Sequence, residues 1–259
     1  MKRYFIRLSY NGTAYHGWQV QENTLSTIQQ VLNTMLCRLL NEDVFATGCG
    51  RTDAGVHASD FYAHFDTSVD LLADEAHWIF KFNNALPADI SIKRILKVKE
   101  NANARFDAVS RTYRYVVTRV KDPFGSDRSW FIYGELDLDA MNKAAKILFE
   151  YSDFSAFAKT NTQTGTNLCK LYIAEWVQED ERLIFTISAD RFLRNMVRAI
   201  VGTLVLVGKK KISLERFREI IESKERSQAG FSAPARGLFL VKVEYPEDYF
   251  KCLNTKENQ

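Results

Sequence analysis

The stretch GCGRTDAGVHASDFYAHF, Gly48 to Phe65, gathers Arg51, Thr52 and Asp53 with His57, Asp60 and His64. Residues of these types support three readings. A guanidinium in contact with a carboxylate lowers its pKa by about one to three units, so an Asp53 beside Arg51 stays ionised at neutral pH. An ionised Asp53 suits the work of a nucleophile or base, not that of an acid. Asp53, His57, Asp60 and His64 are also ligand types for zinc or manganese, the makings of a metal-dependent hydrolase. The plain alternative is an Arg51–Asp53 pair bracing a polar turn beside Gly50 and Gly55, and on these residues alone it stands level with the catalytic reading. Spacing makes metal the minor reading. In DFYAHF, Phe61, Ala63 and Phe65 alternate with Asp60, Tyr62 and His64, as on the two faces of a strand, and His57 falls in a turn. Cys49 reads as a small buried residue and not as an activated thiolate.

Stepping outward, the periodicities give the elements that must hold this loop. Lys2 to Tyr10 places Tyr4, Ile6, Leu8 and Tyr10 on one side and charged or small residues on the other, a strand. Ser26 to Leu40 places Ile28, Val31, Leu32, Met35, Leu36 and Leu39 at helical spacing. Short strands fit Val44 to Thr47 and Phe61 to Asp66, a helix fits Leu71 to Phe82 ahead of Pro87, and a strand fits Ile90 to Val98. The order then returns: a strand over Arg111 to Val120 and a helix over Leu138 to Phe149. Two strands follow, Leu171 to Val177 and Leu183 to Ser188, around the charged turn QEDER. A helix over Arg191 to Val207, a shorter one over Leu214 to Ile221 and a last strand over Leu238 to Tyr245 complete the chain. Each half spells β-α-β-β-α-β, the split ferredoxin-like pattern. The expected fold is therefore α+β: two similar halves forming a mixed, mainly antiparallel sheet, with helices packed on one side and an active-site cleft between the halves. The boundary falls in ENANARFD, Glu100 to Asp107, dividing the chain into 1–104 and 105–259.

A second chemical feature lies in the later half. From Arg191 to Lys211 the chain carries Arg191, Arg194, Arg198, Lys209, Lys210 and Lys211 and no acidic residue. On one continuous helix the three arginines form a narrow wedge opposite Leu193, Met196, Val197, Ile200 and Leu204. Such wedges are most often solvated faces. The missing acids and the lysine triplet tilt this one toward phosphate.

Composition sets outer bounds. The 259 residues are 46% hydrophobic and 26% charged, with a net charge of +3, a globular balance and not a disordered one. The four cysteines are scattered without a CxxC pair, which argues against a zinc knuckle or a disulfide framework and for a reducing compartment. The opening MKRYFIRLSYNG lacks the apolar run of a signal peptide, and nothing approaches a membrane-spanning length. The expectation is a cytoplasmic, soluble protein with no membrane partner.

The loop also resembles a known signature. GRTDAGVHA, Gly50 to Ala58, is similar to the motif of the tRNA pseudouridine synthase A family. YNGTAYHGWQVQ, Tyr10 to Gln21, resembles the opening strand and loop of that family. NNALPADI, ARFDAVSRTYRY, DFSAF, FLRNMVRAIVG and GLFLVKVEY follow in the same order, so the resemblance covers nearly the whole chain. The chain departs from it at Asn103, where many relatives carry histidine, and at Lys170, where arginine is common.

The resemblance implies an isomerase that turns uridine into pseudouridine at positions 38 to 40 of the tRNA anticodon arm, without a cofactor or metal. By the same resemblance Asp53 is the catalytic carboxylate and Arg198 its basic partner. Tyr113 stacks on the target base, Leu238 lines the base pocket, and Arg51 and Thr52 shape the loop around an everted nucleotide. Arg191, Arg194, Lys209, Lys210 and Lys211 are the expected RNA contacts, and a homodimer is implied. The readings left beside it are a metal-dependent RNA phosphoesterase and an RNA-binding module without chemistry.

Overall fold

The computed structural model describes residues 1–24, 26–159 and 165–250. The chain divides into two compact units: Met1–Val109 together with the chain from Leu240 onward, and Ser110–Phe239.

The first unit opens with β1 (Lys2–Tyr10), α1 (Ile28–Leu40), β2 (Thr47–Gly48), β3 (His57–Thr67), α2 (Glu75–Ala85) and β4 (Ile90–Lys97). β1 lies between β3 and β4, antiparallel to both, with Ile6 opposite Ala63 on one side and Ile95 on the other. The alternation of β1 is realised: Tyr4, Ile6 and Leu8 are fully buried, while Arg3 and Arg7 on the other face meet the β3 carboxylates. Arg3 Nε reaches Asp66 at 2.8 Å and Arg7 Nε reaches Asp60 at 2.6 Å. Phe5 breaks the pattern, since it shares the charged face yet is fully buried. Its cover comes from the far end of the chain, where Tyr245, Tyr249 and Phe250 ring it at 5.6 to 5.8 Å between ring centres.

α1 starts where the Thr27 side chain accepts the Gln30 N–H. It buries Ile28, Leu32, Met35, Leu36 and Leu40, and two amides as well. Gln29 donates to the Ala46 carbonyl at 2.7 Å, and Asn33 accepts the Ala46 N–H at 2.9 Å. They tie the chain entering the Gly48–Phe65 stretch to the helix. α2 begins at Glu75, later than its apolar spacing suggests, because Asp74 takes the His77 N–H at 3.1 Å and Leu71 to Asp74 form a turn.

The second unit runs β5 (Ser110–Thr118), β6 (Trp130–Phe131), α3 (Leu138–Ile147), β7 (Leu171–Glu179), β8 (Arg182–Ala189), α4 (Met196–Gly208) and α5 (Leu214–Ser223). β9 (Leu238–Glu244) follows, and from Leu240 it belongs to the first unit, beside β3. β8 lies between β5 and β7, antiparallel to both, with Tyr113 opposite Ile187 and Phe185 opposite Trp176. The two-residue β6, parallel to β5, has no period to betray it in the sequence.

The helix expected over Arg191 to Val207 begins only at Met196. Two local causes shorten it. Asp190 Oδ1 accepts the Arg191 and Lys170 N–H groups at 2.7 and 2.8 Å, and Asn195 adopts a left-handed φ of 68°. Arg191 and Arg194 therefore precede α4, and there is no three-arginine helical wedge. Among the described residues the strands are mainly antiparallel and mixed with five α-helices, an α+β fold. No helix among them is long and apolar enough to cross a membrane.

Candidate active site

The loop carrying Asp53 joins β2 to β3 without regular structure. What gives it shape is the segment after β1. The Tyr10 hydroxyl lies 2.8 Å from Thr52 Oγ1 in a buried hydrogen bond. The Trp18 N–H donates to the Thr52 carbonyl at 3.1 Å, and the Gly55 N–H to the Tyr15 carbonyl at 3.3 Å. His57 Nδ1 accepts the Gly12 N–H at 3.1 Å, so its proton sits on Nε2 in the neutral ring. Gly17 makes the close approach possible. Its φ is +87°, and a Cβ there would stand 2.4 Å from the Thr52 carbonyl oxygen and 3.1 Å from the Asp53 carbonyl carbon. The clamp is anchored in turn, because the Tyr15 hydroxyl donates to Asp89 at 2.6 Å, just ahead of β4.

Within the loop, the Val56 N–H closes a turn onto the Asp53 carbonyl at 3.1 Å. Thr52 is buried, Asp53 half-buried and Arg51 exposed. The carboxylate thus sits on backbone pinned on both sides. A group so fixed can attack carbon or take a proton without first being ordered.

The second unit carries the other expected site residues. Tyr113 lies on β5 on the same side as Tyr115, two residues on. Tyr115 is fully buried with its hydroxyl on the Pro234 carbonyl at 2.7 Å, and burial pushes that phenol far above its usual range. Tyr113 is only half-buried, set edge-on to Phe192 with ring centres 5.2 Å apart. Arg198 lies in the first turn of α4, with Nε donating to the Ala233 carbonyl at 2.7 Å. Leu238 opens β9, 5% exposed, directly after the 3-10 turn Ala235–Gly237.

The basic residues do not form one cluster. Arg191 and Arg194 stand ahead of the α4 N-terminus. Lys209, Lys210 and Lys211 are exposed at its C-terminus, where their N–H groups bond to the Val205, Val207 and Leu206 carbonyls. At 1.5 Å per residue, Arg198 and Lys209 are about 17 Å apart along the helix.

The side chains of the metal alternative serve other partners. His57 accepts from Gly12, His64 Nδ1 accepts from the Ala104 N–H at 3.1 Å, and Asp60 holds Arg7. Among the described residues no three His, Cys, Asp or Glu side chains are grouped to hold an ion. Cys49 is buried, 1% exposed. Sequence reading passed over Tyr10 and Gly17 as parts of the site. Their only local signal is the density of glycine and aromatic residues in YNGTAYHGW directly after a strand.

Comparison with known proteins gives a consistent picture. A family model described as tRNA pseudouridine synthase matches residues 144–246. A tRNA pseudouridine synthase A from Bacteroides thetaiotaomicron is 53% identical over 253 residues, covering 96% of this chain and 93% of its own. One from Bacteroides fragilis is 52% identical over 257 residues, 97% of this chain and 99% of its own. One from the more distant Ruminiclostridium cellulolyticum is 40% identical over 250 residues, 95% of this chain and 100% of its own.

Proposed function

The chain belongs to the tRNA pseudouridine synthase A family, and from that premise we propose that it isomerises uridine to pseudouridine in tRNA. The reaction breaks the bond between uracil nitrogen and ribose, turns the base, and rejoins it to the sugar through carbon. Asp53 is the carboxylate that works on the nucleoside, as nucleophile or as base toward a ribose proton, and no cofactor or metal takes part. Arg198 supplies a guanidinium to that carboxylate. Tyr113 stacks on the base, Leu238 lines its pocket, and Arg51 and Thr52 receive the everted nucleotide. Eversion costs a few kcal/mol, and stacking on one aromatic ring returns about 1–3 kcal/mol, so Tyr113 offsets much of it.

The further assignments are those of the family resemblance: uridines 38 to 40 of the anticodon arm, a homodimer, and the cytoplasm. Arg191, Arg194, Lys209, Lys210 and Lys211 contact phosphates, at two places and not in one patch. By duty the chain divides into 1–104, which brings the carboxylate, and 105–259, which brings the stacking ring and the basic residues. What carries the reading is the near full-length likeness to relatives named for this activity, with Asp53 on a loop that its neighbours hold rigid.

The test is purified protein on unmodified tRNA, with every new pseudouridine mapped. Asp53→Asn is expected to lower the rate by about a thousand-fold or more while tRNA still binds. Equal losses of binding and rate would count against a chemical role for Asp53. Activity abolished by a chelator would revive the metal reading.

A further inference from the structure

A strap of chain, residues 229–234, lies along one side of α4 and meets it between Arg198 and Thr203. The Ala233 N–H donates to the Arg198 carbonyl at 2.9 Å, while Arg198 Nε donates to the Ala233 carbonyl at 2.7 Å. Residues 198 and 233 thus hold each other by backbone and side chain at once. Further along, the Gly230 N–H donates to Thr203 Oγ1 at 3.0 Å, and that hydroxyl donates to the Ala199 carbonyl at 2.8 Å. Gly202 lets the strap lie this close, since a Cβ there would stand 1.8 Å from the Phe231 carbonyl oxygen. Ala233 is fully buried.

A strap of irregular chain needs something to keep its carbonyls aimed. Arg226 does this with both ends of its fork: Nη1 donates to the Gly230 carbonyl and Nη2 to Ser232 Oγ, each at 2.9 Å. Ser232 Oγ also accepts from Asn195 Nδ2 at 2.7 Å, and Asn195 is the left-handed residue that starts α4. Arg226 and Asn195 therefore meet on Ser232, the residue before Ala233, in a chain of hydrogen bonds that reaches the start of α4. A hydrogen bond at Nε restricts the plane of a guanidinium, so where the Ala233 carbonyl points bears on the direction of the Arg198 terminal nitrogens.

We infer that Arg226 and Ser232 are positioning residues for the isomerisation, acting through the Ala233 carbonyl to hold the Arg198 guanidinium in its working orientation. The inference rests on the reading of Arg198 given above. In this role neither residue needs to touch substrate. Both work on the direction of the Arg198 terminal nitrogens, and small misplacements of such groups cost rate more than binding.

The experiment is single-turnover pseudouridine formation on an unmodified tRNA transcript, with tRNA affinity and melting temperature measured on the same proteins. Arg226→Met is expected to slow the reaction about 10- to 100-fold while tRNA affinity changes little. Ser232→Ala, a smaller perturbation that tests the same hydrogen-bond chain should Arg226→Met fold poorly, is expected to act in the same direction by about 3- to 10-fold. The decisive arm is the double variant. If Arg226 acts through Arg198, then adding Arg226→Met to Arg198→Lys slows the reaction by no more than about two-fold further, since coupled residues are not additive. Fully additive losses, or losses in rate and affinity together that track a lower melting temperature, overturn the inference in favour of a purely structural role. An Arg198→Lys protein as fast as the natural one overturns the reading of Arg198 and the inference with it. A slow Arg198→Lys beside unaffected Arg226→Met and Ser232→Ala overturns the inference alone.

Discussion

In the proposed reaction Asp53 and Arg198 pose the same physical problem, a charged side chain that must be aimed, and the two units hold them by different means. The Asp53 loop has no regular structure, so its order comes from the chain after β1, pressed so close that Gly17 leaves no room for a Cβ. Arg198 starts from a regular helix whose backbone is already fixed, and a hydrogen bond from its Nε to the Ala233 carbonyl restricts its plane. A loop is ordered by steric fit and backbone bonds from outside. A helix supplies order itself and leaves the last step to side-chain contacts. The first arrangement should be sensitive to added atoms close to the loop, the second to shifts in its partner strap.

The sharpest way to break this comparison is Gly17→Ala. The left-handed φ alone costs about 1–3 kcal/mol, and the clash with the Thr52 carbonyl must push the Asp53 loop aside. The expected result is a rate of pseudouridine formation down about 100-fold with the fold retained, read by activity beside a urea melt. A fully active Gly17→Ala protein would show that the clamp does not set the carboxylate. Gly202→Ala is the counterpart in the second unit. Alanine in mid-helix is intrinsically better than glycine by about 1 kcal/mol, so α4 itself should survive while its strap is displaced. Activity should fall about 10-fold, less than for Gly17→Ala, because the helix keeps Arg198 in place even when the Ala233 carbonyl moves.

Tyr10→Phe removes a single hydroxyl and leaves Thr52 Oγ1 buried without that partner. The expected loss is about 0.5–1.5 kcal/mol of stability in chemical denaturation, with a smaller effect on rate than either glycine change. The smallest effect concerns His64, on the strand that follows the loop. Burial, aided by the Arg3 charge, lowers its pKa, against the opposing pull of Asp66 and Asp107. A folded pKa below the unfolded value, about 6.5, means the unfolded chain takes the proton first. The contribution of His64 is then whole above that pH and shrinks as pH falls through the lowered folded value. Urea midpoints should decline below about pH 6.5, and less steeply in His64→Gln. Identical slopes would remove His64 from the account.

Much of the fold is legible in the sequence. The β1 alternation, the buried stripe of α1 and the paired strands around the QEDER turn were all visible as periods of two or 3.6, because neighbours a few positions apart decide which side of an element meets the core. The loop motif and the family resemblance singled out Asp53, Tyr113 and Arg198. The three-arginine wedge was misjudged for a local reason that periodicity does not see: Asp190 captures backbone donors and Asn195 turns left-handed, so the helix starts late. Phe5 was misplaced for a distant one, since its cover lies at Tyr245, Tyr249 and Phe250.

By itself the sequence determined most of the elements and most of their inward faces, since these depend on residue type and short-range order, and it nominated the chemical groups. Only the tertiary structure decided how those groups are held: Tyr10 on Thr52, Gly12 on His57, Arg226 and Arg198 on the strap. Most of these contacts join residues far apart in the chain, where no periodicity links the partners and close packing selects them.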